Sequence, residues 1–114
     1  MRELRLEAGG FRRTRCGGRR LANVAAKMHI EGIVQGIGFR SFAFRKSQEC
    51  GVYGYVRNLR DGRVQVYAEG DQGCMDSFLA FMRRGPAGAH VRAFNVEQVP
   101  YTGRYKEFTV QFDI

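Results

Sequence analysis

The chain has 114 residues, of which 44% are hydrophobic and 12% aromatic, so it can bury one core but hardly two. Its apolar runs fall far short of the roughly twenty residues that cross a bilayer, which argues against a membrane span. The formal net charge of +8 does not by itself indicate a nucleic-acid-binding protein, because the excess is concentrated near the N-terminus.

The N-terminal segment, residues 1–26, is basic and has little apolar patterning. Residues 1–27 carry eight Lys or Arg and two Glu, whereas residues 28–114 carry eleven basic and nine acidic side chains. A segment in which arginines alternate with glycine pairs folds poorly by itself. We therefore predict a disordered extension at 1–26 and a folded domain at 27–114. Nonspecific nucleic-acid binding through the extension is an alternative, but we expect no obligatory nucleic-acid partner.

The hydrophobic periodicity of the domain predicts the order strand, helix, strand, strand, helix, strand, strand. Strands are predicted at 27–34, 52–57, 63–69, 91–99 and 107–112, and helices at 39–50 and from Asp71 as N-cap to the residue before Gly85. The side chains predicted to face the core are Met75, Phe78, Leu79 and Met82 in the second helix and Phe108, Val110 and Phe112 in the last strand.

This order fits two split strand-helix-strand units. We predict an α+β, ferredoxin-like sandwich, in which two helices pack on one face of a mostly antiparallel sheet of four to five strands. Because many functions share this architecture, the function has to be argued from the loops.

The connection between the first strand and the first helix has the composition of an anion-binding loop. It reads Val34-Gln35-Gly36-Ile37-Gly38-Phe39-Arg40. Gly36 and Gly38 can adopt positive φ, so that backbone N–H groups converge on an anion together with the N-terminal donors of the helix. Arg40 adds a guanidinium that suits a phosphoryl group. The alternative is a glycine-rich turn without a ligand.

Two better-known phosphate-binding patterns are not met by this loop. It lacks the Gly-Lys-Ser/Thr ending of a Walker loop, and Ser41 stands where a dinucleotide fingerprint has its third glycine. The loop therefore predicts a site for a small phosphate ester or anhydride.

A second motif follows in Gly54-Tyr55-Val56-Arg57-Asn58, which reads as a strand, and Asp61-Gly62, which reads as a hairpin turn. Asn58 ends that strand, where its amide either closes a local turn or faces the loop. We interpret Arg57 as a strand-end charge rather than as a second phosphate ligand.

Together these motifs resemble those of the acylphosphatase family. The resemblance also includes Ala68-Glu69-Gly70 and Gly85-Pro86, and it runs from about Met28 to Phe112. It implies hydrolysis of the carboxyl–phosphate bond of acyl phosphates by direct attack of water, without metal, cofactor or covalent intermediate. It also implies that Arg40 binds phosphate and that Asn58 orients the water. The implied phosphate-binding loop consists of Gln35, Gly36, Ile37, Gly38, Phe39 and Arg40.

Other compositional features favour the same assignment. Three widely spaced cysteines and two histidines favour neither a disulfide framework nor a metal site, so we expect a cytoplasmic protein. We expect a monomer whose partner is a small-molecule acyl phosphate.

Three alternatives stay open. The chain could be a noncatalytic, phosphate-binding regulatory module. The acylphosphatase-like segment of hydrogenase-maturation proteins would imply carbamoyl phosphate as substrate, although no cysteine-rich region follows here. An RNA-recognition module would need exposed aromatic residues on its central strands, for which Tyr53, Tyr55 and Tyr67 are approximate candidates that we interpret as packed or surface strand residues.

Overall fold

A computed structural model describes residues 22–112, which form five strands and two helices in the predicted order. Residues 1–21 of the predicted extension at 1–26 lie outside the described residues. The elements are β1 (Asn23–Ile33), α1 (Phe39–Cys50), β2 (Tyr53–Asn58), β3 (Val64–Asp71), α2 (Gln72–Arg84), β4 (His90–Val99) and β5 (Phe108–Gln111).

The strands form one mixed sheet in the order β4-β1-β3-β2-β5. β1 runs antiparallel to β3 and β4, β2 runs antiparallel to β3, and β5 joins β2 in parallel. Val64 at the start of β3 pairs with Ile30 of β1 on one side and with Asn58 of β2 on the other. In the parallel pair, Arg57 lies opposite Gln111. The ends of β1, β2 and β5 therefore meet at one edge of the sheet.

The core lies between the sheet and the two helices. α2 contributes Met75, Phe78 and Met82, all at most 2% exposed, and Phe78 packs edge-to-face on Phe108 of β5 at 5.9 Å. Both helices begin and end where the sequence indicates. Gly38 and Gly51, both with positive φ, flank α1, and the Asp71 side chain accepts a hydrogen bond from the Gly73 N–H at the start of α2.

β1 begins at Asn23, four residues before the predicted strand, and residues 23–26 pair with the end of β3. The strand was predicted to start too far along the chain because Ala25 and Ala26 give a weak periodic signal, although they are only 1% and 5% exposed. The boundary predicted between residues 26 and 27 therefore cuts through a strand.

Phe112 was wrongly predicted to face the core. β5 ends at Gln111, one residue earlier, and the Phe112 side chain is 76% exposed. The inward alternation holds for Phe108, which is 3% exposed, and stops where the ladder with β2 stops.

Cys50 is buried at the end of α1. Within residues 22–112, no helix combines the length and apolar character that crossing a bilayer would require.

Candidate functional site

The loop between β1 and α1 has the backbone conformation of an anion-binding loop. Gly36 and Gly38 have φ of 76° and 83°, and a Cβ built on either would meet no atom within 4 Å. These positions need glycine for the left-handed backbone and not for lack of space. Both glycines are exposed, so their main chain is open to solvent and to a ligand.

Alternate side chains fix this loop to the protein. Phe39 is 2% exposed and packs edge-to-face on Phe42 at 6.0 Å, and Ile37 packs partly buried against the same core. The Gln35 amide Nε2 donates to the carbonyls of Leu59 at 2.7 Å and Arg63 at 2.9 Å. The loop is thus held by the core and by the β2–β3 hairpin, a preorganised arrangement.

The N-terminus of α1 points out of this loop without a side-chain cap. Gly38 is the N-cap residue, and its carbonyl accepts the first helical bond from the Phe42 N–H at 2.9 Å. The first turn contains no acidic residue. The unsatisfied N–H groups and the positive end of the helix dipole are therefore available to an anion.

Arg40, in the first turn of α1, lies against the end of β5. Its Nη1 donates to the Gln111 carbonyl at 3.1 Å, and its guanidinium carbon lies 5.4 Å from the centroid of the Phe112 ring. The main chain and an aromatic ring that are far away in sequence thus orient the guanidinium.

Asn58 lies at the end of β2, opposite Val64, and is partly buried. The hairpin that follows is closed by the Leu59 N–H donating to Arg63 at 2.8 Å and by Gly62 with φ of 97°. Within residues 22–112 the Asn58 amide makes no hydrogen bond, so the local turn-closing role considered from the sequence is not observed. Its donor and acceptor remain available.

Asn58 and Gln35 line the same cleft, of about 480 Å³, at the edge of the sheet where β1, β2 and β5 end. Its other lining residues are Arg57, Leu59, Arg60, Gln111 and Phe112. Arg40 contacts Gln111 and Phe112 in the cleft wall. The structure therefore places Gln35 and Asn58 in one cleft and Arg40 against its wall. The loop residues between them, Gly36, Ile37, Gly38 and Phe39, do not line this cleft.

Three features of this site were not predicted, namely the hydrogen bonds from Gln35 to the hairpin, the contact of Arg40 with the Gln111 carbonyl and its contact with the exposed Phe112 ring. These contacts join residues 24 to 72 positions apart, and no local pattern encodes them. The Asp61-Gly62 turn is the one signal that placed the hairpin correctly.

The residues that line the cleft include no carboxylate and no histidine. Asp61 lies on the hairpin outside the lining, and hydrogen bonds from Arg63 lower its carboxyl pKa. His29 is also outside it, and burial, with the charges of Arg63 and Lys27, lowers its pKa. Among residues 22–112, no group of three or more His, Cys, Asp and Glu could hold a metal ion.

The tyrosines considered for RNA recognition are largely packed on one another. Tyr67 is 7% exposed, stacks on Tyr55 at 5.6 Å and donates its hydroxyl to Glu69 at 2.5 Å. Burial and this bond to Glu69 raise the pKa of Tyr67 above its ordinary value. Tyr53 is 40% exposed. Tyr55 and Tyr67 agree with the interpretation as packed strand residues.

The sequence is similar to those of known acylphosphatases. The sequence profile of the acylphosphatase family matches residues 26–110. An acylphosphatase of Methylococcus capsulatus is 46% identical over 85 residues, which are 75% of this chain and 92% of that protein. An acylphosphatase of Thermotoga maritima is 43% identical over 88 residues, covering 77% of this chain and 97% of that protein.

Solved structures show the same fold. The acylphosphatase of Bacillus subtilis superposes with a TM-score of 0.74 at 27% identity, covering 77% of this chain and 98% of that one. Full-length HypF, solved in a phosphate- and nucleotide-bound form, superposes with a TM-score of 0.71 at 27% identity. That match covers 82% of this chain and only 12% of HypF.

Proposed function

This chain belongs to the acylphosphatase family and hydrolyses the carboxyl–phosphate bond of acyl phosphates, and we propose that the cleft between the loop 35–40 and Asn58 is its active site. The observation that carries the proposal is the convergence at the edge of the sheet. Gln35 and Asn58 line one cleft, and Arg40 binds the Gln111 carbonyl in its wall.

The loop would bind the phosphoryl group. Its main-chain N–H groups from Gln35 to Phe39, with the uncapped helix N-terminus, would donate to the phosphoryl oxygens. Arg40 would add a charge-assisted hydrogen bond and neutralise charge that develops in the transition state. Fixed donors of this kind need little reorganisation when the reaction occurs.

Asn58 would orient the attacking water. Its amide oxygen is free to accept a hydrogen bond from the water and to aim it in line with the bond that breaks. The water oxygen bonds to phosphorus, the P–O bond to the acyl group breaks, and the carboxylate leaves with the electron pair. The proton of the water passes to a phosphoryl oxygen, giving inorganic phosphate.

This mechanism asks little of acid–base catalysis or of a metal. A carboxylate is a good leaving group and needs no strong acid, and the lining residues offer no general base. We therefore propose that hydrolysis is metal-independent and varies only weakly with pH near neutrality.

Since the candidate residues come from one chain, we propose an active monomer, which gel filtration would test. The cytoplasmic location stays a prediction for cell fractionation.

The test is spectrophotometric hydrolysis of benzoyl phosphate in the presence of a chelator. Arg40→Ala and Asn58→Ala should each lower kcat/KM by about 10² to 10³, because each removes a group aimed at the transition state. Arg104→Ala and Asn95→Ala, exposed residues away from the cleft, serve as matched controls and should retain parental rates.

Two outcomes would contradict the assignment. Full activity of the Arg40 variant would remove this arginine from the mechanism. A parent protein that binds inorganic phosphate but leaves benzoyl phosphate intact would favour the noncatalytic alternative, and comparison with carbamoyl phosphate would then test that substrate.

A further inference from the structure

The cleft contains more positive charge than a phosphoryl group requires. Besides the groups assigned above, Arg57 and Arg60 line it, and no acidic side chain of residues 22–112 does. Arg40 contacts its wall at Gln111. Two guanidinium groups thus line the cleft and a third lies against it, without a compensating carboxylate among residues 22–112, which raises the local concentration of anions.

Several basic side chains outside the cleft lining form ion pairs with carboxylates. Arg63 pairs with Asp61 at 2.8 Å, Arg92 with Glu31 at 3.3 Å and Lys46 with Glu49 at 3.1 Å. Within the described part of the chain, Arg57 and Arg60 have no ion-pair partner. The basic residues without a carboxylate partner that border the cleft are therefore available to a ligand.

Arg57 is held in place by a neutral partner. Its Nε donates to the Gln65 Oε1 at 2.8 Å, and the Gln65 Nε2 lies 2.9 Å from the His29 ring. This arrangement orients the guanidinium without neutralising it, and within residues 22–112 its two terminal nitrogens make no hydrogen bond. A guanidinium held in this way can bind a carboxylate or phosphate with two parallel hydrogen bonds.

The position of the two arginines relates them to the acyl half of the substrate. Arg57 lies opposite Gln111 of β5 and bonds Gln65 on the face of the sheet away from the helices, whereas Arg40 reaches Gln111 from α1 on the other face. With the phosphoryl group on the loop, the acyl group would extend along the cleft lining past Leu59 toward Arg57 and Arg60.

We propose that Arg57 and Arg60 form a second anion site, which selects acyl phosphates whose acyl group carries its own negative charge. The inference rests on the proposed active site. It revises the interpretation of Arg57 as only a strand-end charge and identifies it, with Arg60, as a specificity-determining residue.

The experiment compares 4-carboxybenzoyl phosphate with 4-methylbenzoyl phosphate, which is similar in shape but lacks the second charge. The readout is the ratio of kcat/KM for the two acyl phosphates, so a general loss of activity in a variant cancels. The parent should favour the carboxylate by roughly three- to tenfold, the range expected for partly exposed charge pairs. Arg57→Gln and Arg60→Gln should each bring the ratio toward one.

The control is Arg104→Gln, which removes one positive charge from a different hollow on the sheet and should keep the parental ratio. The preference should also shrink as ionic strength rises. A parent ratio at or below one, or a ratio unchanged in both cleft variants, overturns the second anion site while leaving acyl phosphate hydrolysis intact. If the parent hydrolyses neither acyl phosphate, the proposed active site is contradicted, and the inference with it.

Discussion

Gln35 connects the two halves of the proposed active site through one side chain. Its side-chain amide donates hydrogen bonds to two carbonyls of the hairpin that follows Asn58, and Gln35 is the first residue of the anion-binding loop. The distance between the proposed phosphoryl donors and the proposed water-binding amide therefore depends on a residue whose side-chain amide is bonded to the hairpin. Small displacements in such geometry cost rate strongly.

Replacing Gln35 with Ala should loosen this connection. We expect a loss of about 1–2 kcal/mol in the free energy of unfolding, because two side-chain hydrogen bonds are lost, although each carbonyl keeps one main-chain donor. We expect kcat to fall about tenfold, while inhibition by inorganic phosphate changes less, since the loop N–H groups remain. Urea unfolding and steady-state kinetics measure both. Gln98→Ala, at an exposed position of β4, is the control, and an unchanged kcat in the Gln35 variant would contradict the positioning role.

β2 carries Asn58 and lies between β3 and β5, so its position sets that of the amide. Gly54 in this strand has φ of 150°, and a Cβ placed there would lie 1.9 Å from the Tyr67 carbonyl oxygen of β3. Here glycine is needed for close approach of two backbones. The contrast is Gly36, where a Cβ meets no atom and only the left-handed backbone requires glycine.

The two glycines should respond differently to substitution by Ala. Gly54→Ala should cost at least about 4 kcal/mol of stability or prevent folding, because β2 and β3 would have to separate. Gly36→Ala should cost only about 1–2 kcal/mol, the strain of a left-handed Ala. Circular dichroism and urea unfolding distinguish the two. Comparable losses of stability would show that space at Gly54 is not the limiting factor.

Sequence patterns predicted the helices, the order of elements and the positive φ of Gly36 and Gly38 because each rests on local signals. Gly38, Gly51 and Asp71 mark helix ends through their own backbone or side-chain geometry. The start of β1 was missed because its pairing with β3, and not its own residues, makes Asn23 a strand residue. The contact between Arg40 and Gln111 was missed for the same reason, since only the completed sheet brings them together.

The connection between β4 and β5 crosses the sheet at the end away from the cleft, where it is held by one carboxylate. Glu69, 2% exposed, accepts hydrogen bonds from the Tyr67 hydroxyl, from the Thr102 N–H and hydroxyl at 2.9 and 2.7 Å, and from the Gly103 N–H at 3.1 Å. Burial alone would raise the pKa of Glu69, but these hydrogen bonds outweigh it and lower the pKa.

This carboxylate should make the stability of the protein depend on pH. Because the pKa of Glu69 is lowered on folding, its contribution is present above the ordinary value of about 4.3 and is lost as pH falls through the lowered value. Glu69→Gln should cost about 2–3 kcal/mol at pH 7, since an amide NH₂ cannot accept these bonds.

Urea unfolding of the parent and of Glu69→Gln, at pH 7 and at successively lower pH, measures the difference between their unfolding free energies. The difference in unfolding free energy between parent and Glu69→Gln should narrow on acidification below pH 4. The exposed Glu97→Gln serves as the control. A difference that stays constant down to pH 2 would mean that Glu69 does not titrate as described.

The attachment of the anion-binding loop, residues 35–40, to the core limits which substitutions can change the substrate of this enzyme. Ile37 and Phe39 extend from the loop into the core, so widening the loop for a bulkier oxyanion would require repacking the hydrophobic interior. A larger acyl group can be accommodated by substitutions of the exposed residues around the cleft, which leave the core unchanged. Related enzymes should therefore differ more readily in the acyl group they accept than in the phosphoryl group.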